Sequence, residues 1–178
     1  MKSFSNFGFV SPSFYRRSGH DSRKGKVRMT QMVLRKFTSA DRSVFLEMCE
    51  DFYSSGAALE PIPVRQMEET FEKAVAGSPY VMGFIMEAEG KTAGYGIVYP
   101  FYSNEAGGLC LMLEEIYVKP EFRSHRLGSQ YLERIAQTVS SDVIGLKLEI
   151  CISNEGARRL YEKHGFQPLR YGIMVKKL

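Results

Sequence analysis

The stretch that decides the fold is Leu113–Ile135, with the sequence LEEIYVKPEFRSHRLGSQYLERI. Its first residues alternate β-branched and aromatic side chains, which predicts a half-buried strand. The strand should stop at Pro120, because proline has no N–H to give to a ladder. From Leu127 onward, apolar residues recur at helical spacing. The stretch therefore predicts a strand, a short basic turn and a helix in succession.

The basic turn has the composition of an anion-binding site. The first N–H groups of a helix lack intrahelical acceptors, and the positive end of the helix dipole lies beside them. Arg123 and Arg126 add positive charge and donors suited to phosphate oxygens. We expect a phosphate or pyrophosphate to bind here. The alternative, a solvated basic turn after a strand, is left open by this stretch alone.

Two blocks of sequence resemble the GNAT superfamily of N-acetyltransferases. The first is similar to that family's acetyl-CoA signature and reads V-x-P-x-x-R-x-x-x-x-G-S, from Val118, Pro120, Arg123, Gly128 and Ser129. Arg126 stands where the signature has its first glycine. The second block reads N-x-x-A-x-x-x-Y-x-x-x-G-F, from Asn154, Ala157, Tyr161, Gly165 and Phe166. The blocks follow in the family's order, about thirty residues apart.

Periodicity alone predicts one sheet in an α/β or α+β domain, and the resemblance makes this more specific. It implies the GNAT fold, a single mixed central sheet of six to seven strands flanked by about four helices. We expect strands near residues 32–37, 80–87, 92–101, 109–118, 145–152 and 167–176. A capping-box pattern at Thr38 and Asp41 predicts the start of the first helix. Gly165 should end the last helix in the left-handed conformation.

The resemblance also implies the residues that hold acetyl-CoA. The end of the strand should pair with the pantetheine arm through its backbone, and the turn should hold the phosphates. Asn154 either contacts the pantetheine or only caps its helix. The expected cofactor-binding residues are Ile116, Tyr117, Val118, Arg123, Ser124, His125, Arg126, Leu127, Gly128, Ser129 and Asn154.

Direct acetyl transfer to an amine requires a base for the amine and an acid for the leaving thiolate. By resemblance to the polyamine-acetylating branch of the family, Glu114 is the first choice as base and Glu115 the second. Strand alternation predicts that the two carboxylates point to opposite faces. The alternative for either glutamate is an exposed strand carboxylate paired with a lysine, and this is what we expect of Glu115. Tyr161 matches the tyrosine that acts as the general acid in the family. The alternative is that Tyr161 only packs its helix against the core.

The acceptor pocket is predicted from position only. In the family it lies between the first two helices and the strands beyond the cofactor. The candidates are Tyr53, Glu60, Glu68, Tyr95, Tyr99 and Tyr102, although each taken singly is more typical of an ordinary surface or core residue. An acidic surround with Glu114 favours a cationic amine over an anionic substrate.

These observations predict an acetyl-CoA-dependent N-acetyltransferase that acts on a primary amine of a small molecule. One alternative is acetylation of a protein N-terminus or lysine. A second is a non-catalytic acyl-CoA-binding GNAT module, which the substituted glycine at 126 favours and the retained Glu114 and Tyr161 oppose. No metal is expected, because the three histidines lack ligand spacing. We leave open whether the chain forms a homodimer.

Composition limits the remaining classes. Residues 1–31 carry seven Lys and Arg against one Asp. Since the net charge of the whole chain is +4, the remaining residues are mildly acidic. They therefore give no argument for nucleic-acid binding. Residues 1–28 predict a flexible basic extension, either an organellar presequence or a translation start placed too early. Binding of nucleic acid by this extension is a further idea. Residues 32–178 should form one acetyltransferase domain, cytoplasmic because three scattered cysteines suit a reducing compartment.

Overall fold

The computed structural model describes residues 31–177. In this part of the chain, one mixed sheet lies between two layers of helices. The strands are β1 Met32–Lys36, β2 Met82–Ala88, β3 Lys91–Ser103, β4 Gly108–Val118 and β5 Val143–Leu148. The helices are α1 Arg42–Ser54, α2 Val64–Val75, α3 Leu127–Val139 and α4 Glu155–Lys163. The predicted extension at residues 1–28 lies outside the described residues.

The strands follow one another in chain order across the sheet, β1-β2-β3-β4-β5. The first four are antiparallel, and β4 and β5 are parallel, with α3 in the connection between them. The β2–β3 turn places Glu89 and Gly90 at positive φ (53° and 72°), as expected for a tight two-residue hairpin. The expectation of a single mixed central sheet flanked by about four helices is confirmed in the described residues.

The expectation of six to seven strands is wrong, since the described sheet has five. The segment 167–176, predicted as the last strand, forms no ladder, and large side chains such as Ile173 and Met174 are exposed. Its β-branched and aromatic residues fit a strand, but such a preference yields a strand only where a neighbour supplies hydrogen bonds. The predicted strand 145–152 instead runs from Val143 to Leu148.

Each face of the sheet has its own apolar core. On one face, α3 packs on the sheet through Leu127, Tyr131 and Ile135, and α4 adds Leu160 and Tyr161 at the margin. On the other face, α1 and α2 cover the sheet. Their cluster contains Phe37, Phe45, Met48, Cys49, Met67, Phe71, Ile85, Tyr95, Ile97 and Tyr117. The two cores hold the sheet rigid beneath the residues of the candidate site.

The pairing of β3 with β4 contains a β-bulge at Glu114. Ile97 pairs with Glu115, whereas the next residue, Val98, pairs with Leu113, so Glu114 is an extra residue in β4. Leu113 belongs to the core beneath α3, and Tyr117 to the core beneath α1 and α2. Alternation therefore breaks at the bulge. The prediction that Glu114 and Glu115 point to opposite faces is wrong for this reason.

Candidate active site

The site begins where β4 and β5 separate. Their parallel ladder runs from the pair Leu109–Val143 to the pair Leu113–Leu148. β5 ends there, but β4 continues to Val118. Along this continuation, β4 pairs with β3 on one side, and in the described chain no strand pairs with its other edge. Ile116, Tyr117 and Val118, predicted to pair with a pantetheine arm, lie on this continuation.

The turn after β4 bends sharply into α3. A single 3-10 turn, Pro120–Phe122, is followed by Ser124 and Arg126, both in the left-handed region with φ of 68° and 63°. Left-handed backbone is unfavourable for residues with a side chain, which gives a physical reason for the glycine expected at 126. The turn thus leads directly into α3, which begins at Leu127.

The first turn of α3 provides backbone donors. The first intrahelical bond runs from Gln130 N to Arg126 O at 3.0 Å, so helix geometry gives the amides of Leu127, Gly128 and Ser129 no intrahelical acceptor. A Cβ built on Gly128 would lie 3.1 Å from Leu160 on α4, so glycine lets the two helices approach. Leu127 and Ser129 are buried and anchor the turn.

Arg123 and His125 stabilise the turn itself. The Arg123 guanidinium donates from Nε to Val118 O at 3.0 Å and lies 5.9 Å from the centroid of the Tyr117 ring. His125 Nδ1 is 3.1 Å from Arg123 O. The Tyr117 hydroxyl donates to Asp51 on α1 at 2.9 Å. Arg123 therefore ties the turn to the end of β4, in addition to the charge that it brings.

A pocket of about 220 Å³ lies between α1, α2 and the β3–β4 pair. Its wall combines aromatic and aliphatic side chains with two carboxylates. The lining residues are Phe45, Cys49, Tyr53, Ile62, Met67, Thr70, Tyr80, Val81, Ile97, Tyr99, Glu114 and Glu115. None of these side chains is basic. The bulge brings both glutamates to this one pocket.

Glu115 is buried and held by hydroxyl donors. The Tyr53 and Tyr95 hydroxyls each donate to its carboxylate at 2.7 Å, and Cys49 Sγ lies 3.9 Å away. Burial and the Glu115 charge raise the pKa of both tyrosines, and they raise the pKa of the Cys49 thiol to about 12. The expectation of an exposed Glu115 paired with a lysine is wrong, because the bulge turns it inward.

Glu114 has an exposed side chain at the edge of the same pocket. Partial desolvation raises its pKa above the ordinary value, and repulsion from Glu115 and Glu149 raises it further. Burial, Glu114 and Glu149 together raise the pKa of Tyr99. The Glu114 carboxyl group therefore keeps its proton to a higher pH than an ordinary glutamate does.

Glu149 was not found by sequence reasoning. It follows Leu148, the last β5 residue in the ladder, just as Glu114 follows Leu113 in β4. The two carboxylates therefore stand on either side of the opening between the strands. Neither motif contains Glu149. Its place near Glu114 depends on the parallel pairing of β4 with β5, and the sequence alone does not show which strands pair.

The other predicted acceptor residues separate into two groups. Tyr53 and Tyr99 line the pocket, and Tyr95 lies beneath it against Glu115. Outside the lining, Glu68 forms an ion pair with Arg42, and Glu60 is exposed. Tyr102 is 74% exposed on β3. The structure brings together the first group and leaves the second outside the pocket.

The second motif builds α4 and both of its caps. Asn154 Oδ1 accepts from Ala157 N at 3.1 Å, so Asn154 is an N-cap. Gly165 has φ of 83°; its N–H donates to Glu162 O, while Phe166 N–H donates to Tyr161 O. This is a Schellman motif, and the rings of Tyr161 and Phe166, 5.6 Å apart, form its apolar contact. Half-buried Tyr161 has a pKa raised by desolvation.

Among residues 31–177, no group of three or more His, Cys, Asp or Glu side chains is arranged to hold a metal ion. No helix in that range is long and apolar enough to cross a bilayer.

The chain belongs to the acetyltransferase (GNAT) family, which it matches over residues 43–166. It is 27% identical to a candidate alanine N-acetyltransferase of ribosomal protein bS18 from Bacillus subtilis (strain 168), over 75% of this chain and 83% of the relative. Over 77 residues it is 36% identical to the thialysine N-epsilon-acetyltransferase of Bos taurus, a match that spans 43% of this chain and 45% of the relative.

Solved structures agree on the fold. The aminoglycoside N-acetyltransferase AAC(6')-Iy, determined in complex with CoA, superimposes with a TM-score of 0.68 at 17% identity, over 85% of this chain and 97% of that chain. Family membership and these relatives identify the chain as an N-acetyltransferase.

Proposed function

We propose that this enzyme transfers an acetyl group from acetyl-CoA directly to a cationic primary amine of a small molecule. The observation that carries the proposal is the convergence of Glu114 and Glu115 on one pocket beside the opening between β4 and β5, with Glu149 across the opening. A site that concentrates negative charge without a basic residue in its lining attracts a cation and repels an anion.

The residues present fit a CoA diphosphate. Left-handed backbone at Ser124 and Arg126 precedes the open amides of α3, and Arg123 and Arg126 supply positive charge. The unpaired edge of β4 from Ile116 to Val118 offers backbone groups to an extended arm. Bound there, acetyl-CoA supplies an activated thioester. Asn154, whose Oδ1 caps α4, acts on this site through the position of the helix.

The chemistry assigned to the protein is proton transfer and orientation. Glu114 accepts the proton that the ammonium group must lose before its nitrogen can attack, and its raised pKa suits that task. Glu115, fixed by the hydroxyls of Tyr53 and Tyr95, holds the amine in place. Tyr161 donates a proton to the leaving sulfur. The N–C bond forms as the C–S bond breaks; the nitrogen then loses its second proton, which returns through solvent to the Tyr161 oxygen, and no covalent enzyme intermediate is needed.

A protein N-terminus is the second candidate acceptor, favoured by the match to the ribosomal-protein relative over most of both chains. The pocket argues for the small amine, because its volume of about 220 Å³ suits a short chain with a terminal ammonium. Three cysteines without disulfides, two of them buried, are consistent with the cytoplasmic location that we propose.

The test is a panel of acceptors incubated with the full chain and acetyl-CoA, with acetylated product measured by mass spectrometry. The panel contains diamines, amino acids, aminoglycosides and an alanine-terminated peptide. We expect the highest kcat/KM for a small cationic amine. Turnover of the peptide alone would replace the proposal with the second candidate, and binding of CoA without any turnover would leave a non-catalytic CoA-binding module.

A further inference from the structure

The α3 helix carries a buried hydroxyl that makes no hydrogen bond. Tyr131 is fully buried, and its Oη is one of two buried side-chain N or O atoms without a partner in the described chain; the other is His164 Nε2. Leaving such a group unsatisfied destabilises the folded state, so a buried hydroxyl normally has a partner or a function.

The protein makes room for this tyrosine at a specific place in the sheet. A Cβ built on Gly96 of β3 would lie 2.3 Å from Tyr131 Oη and 2.5 Å from its Cζ. Gly96 pairs with Ile116, the β4 residue at the start of the unpaired edge. The hydroxyl end of Tyr131 therefore lies one strand away from the edge along which the substrate arm is proposed to run.

The neighbour that matters is Tyr161. It packs against the same apolar cluster as Tyr131, from α4. Burial raises the pKa of Tyr131, and so does the charge of the Tyr161 phenolate when that forms, so the two phenols interact electrostatically across the apolar cluster that both contact; no hydrogen bond joins them in the described structure. Desolvation alone raises the pKa of Tyr161, without a contribution from a charged neighbour. His164, whose Nε2 is the other atom without a partner, is the C-cap residue of α4 and lies three residues beyond Tyr161.

We propose that Tyr131 is a positioning residue whose hydroxyl donates a hydrogen bond to the Tyr161 oxygen when Tyr161 gives up its proton. The inference rests on the proposed function, in which the Tyr161 O–H bond breaks and its proton passes to the departing sulfur. The phenolate left behind would lie in a half-buried setting against this apolar cluster. A donor with no other partner stabilises that charge without breaking an existing bond.

The kinetic test is Tyr131→Phe, which removes one oxygen and keeps the ring that packs on Gly96. We expect kcat to fall about tenfold, the effect of one hydrogen bond to a charged group, with KM for both substrates unchanged. The alkaline limb of the kcat profile should move to higher pH, because the Tyr161 phenolate is less stable. In a Tyr161→Phe background, adding Tyr131→Phe should cost nothing further. Tyr102→Phe, at an exposed tyrosine, is the matched control.

A second readout does not depend on turnover. Difluorotyrosine placed at 161 lowers the phenol pKa into a range where the fold is stable, and its ultraviolet absorbance follows the titration. We expect Tyr131→Phe to raise that pKa, and His164→Asn to leave it unchanged. An unchanged pKa with a higher Tm would overturn the proposal and make the hydroxyl a packing defect. A raised pKa in an enzyme that acetylates no amine would uphold the hydrogen bond while the proposed function failed.

Discussion

A single extra residue, Glu114, determines which side chains meet in the pocket. In an unbroken strand Leu113 and Glu115 would share a face; here Leu113 packs beneath α3, whereas Glu115 reaches the pocket opposite. The bulge thus lets two adjacent carboxylates act at one place. One is buried among tyrosine donors and the other is exposed with a raised pKa, and these different surroundings support the different roles that we propose for them.

A second carboxylate cluster, remote from the pocket, stabilises the fold. Asp41 accepts two 2.8 Å bonds from Arg35 and one of 2.7 Å from Thr38 N, and these bonds lower its pKa to about 2. A depressed pKa stabilises the fold above the unfolded-state value and loses that contribution as pH falls from about 4 toward 2. The cluster should therefore make the protein acid-sensitive in that window.

We expect Asp41→Asn to lower the free energy of unfolding by roughly 2 kcal/mol at neutral pH, with a much smaller difference from wild type at pH near 2. Urea titrations at several pH values measure this. The control is Glu69→Gln, which breaks the exposed pair with Arg65 and should change stability by less than about 0.5 kcal/mol. A difference for Asp41→Asn that does not depend on pH would contradict the ion-pair account.

At the scale of elements, α4 shows how a family motif divides between folding and chemistry. Asn154 and Gly165 form its two caps and Phe166 completes the terminal contact, which leaves Tyr161 for the proton transfer that we propose. Much of the motif therefore specifies the position of Tyr161.

Paired substitutions at Asn154 separate capping from contact with the cofactor. Asn154→Ser keeps an N-cap oxygen and should preserve both stability and CoA affinity, whereas Asn154→Ala should cost about 1 kcal/mol of stability. Thermal melts and CoA titrations of the two variants measure this. Equal loss of CoA affinity in both variants, with stability intact, would show that the amide itself binds the cofactor.

The sequence predicted which helices and strands form better than it predicted where the strands end and which of them pair. The strand, turn and helix of 113–135 and the hairpin at Glu89–Gly90 follow from local patterns, because proline, glycine and apolar spacing act over a few residues. The missing strand at 167–176 and the separation of β5 from β4 after Leu148 depend on which backbone lies alongside. The same limit hid Glu149 and the bulge.

For the whole molecule, charge is distributed unevenly around the site. The pocket and its opening carry Glu114, Glu115 and Glu149, while the turn before α3 carries Arg123 and Arg126. An anionic cofactor and a cationic acceptor would thus approach regions of opposite potential. This separation favours binding of both substrates at once, which direct transfer requires.

The charge pattern predicts a salt effect on catalysis. Raising ionic strength from about 0.05 M to 0.5 M shortens the screening length severalfold, so kcat/KM for a cationic amine should fall, and more steeply for a diamine than for a monoamine. Initial rates in sodium chloride at saturating acetyl-CoA measure this. Glu149→Gln should flatten the dependence. The same slope for neutral and cationic acceptors would show that the carboxylates do not attract the substrate.

The most direct test of the account is the pH dependence of acetyl transfer in Glu114→Gln, compared with Glu133→Gln, which alters an exposed carboxylate on α3. With its pKa raised, Glu114 should give wild type an acid limb above the range of an ordinary glutamate. We expect Glu114→Gln to lose that limb and about 10²–10⁴-fold in kcat, with the Kd for acetyl-CoA unchanged. Wild-type turnover by Glu114→Gln between about pH 6 and pH 10 would contradict the account.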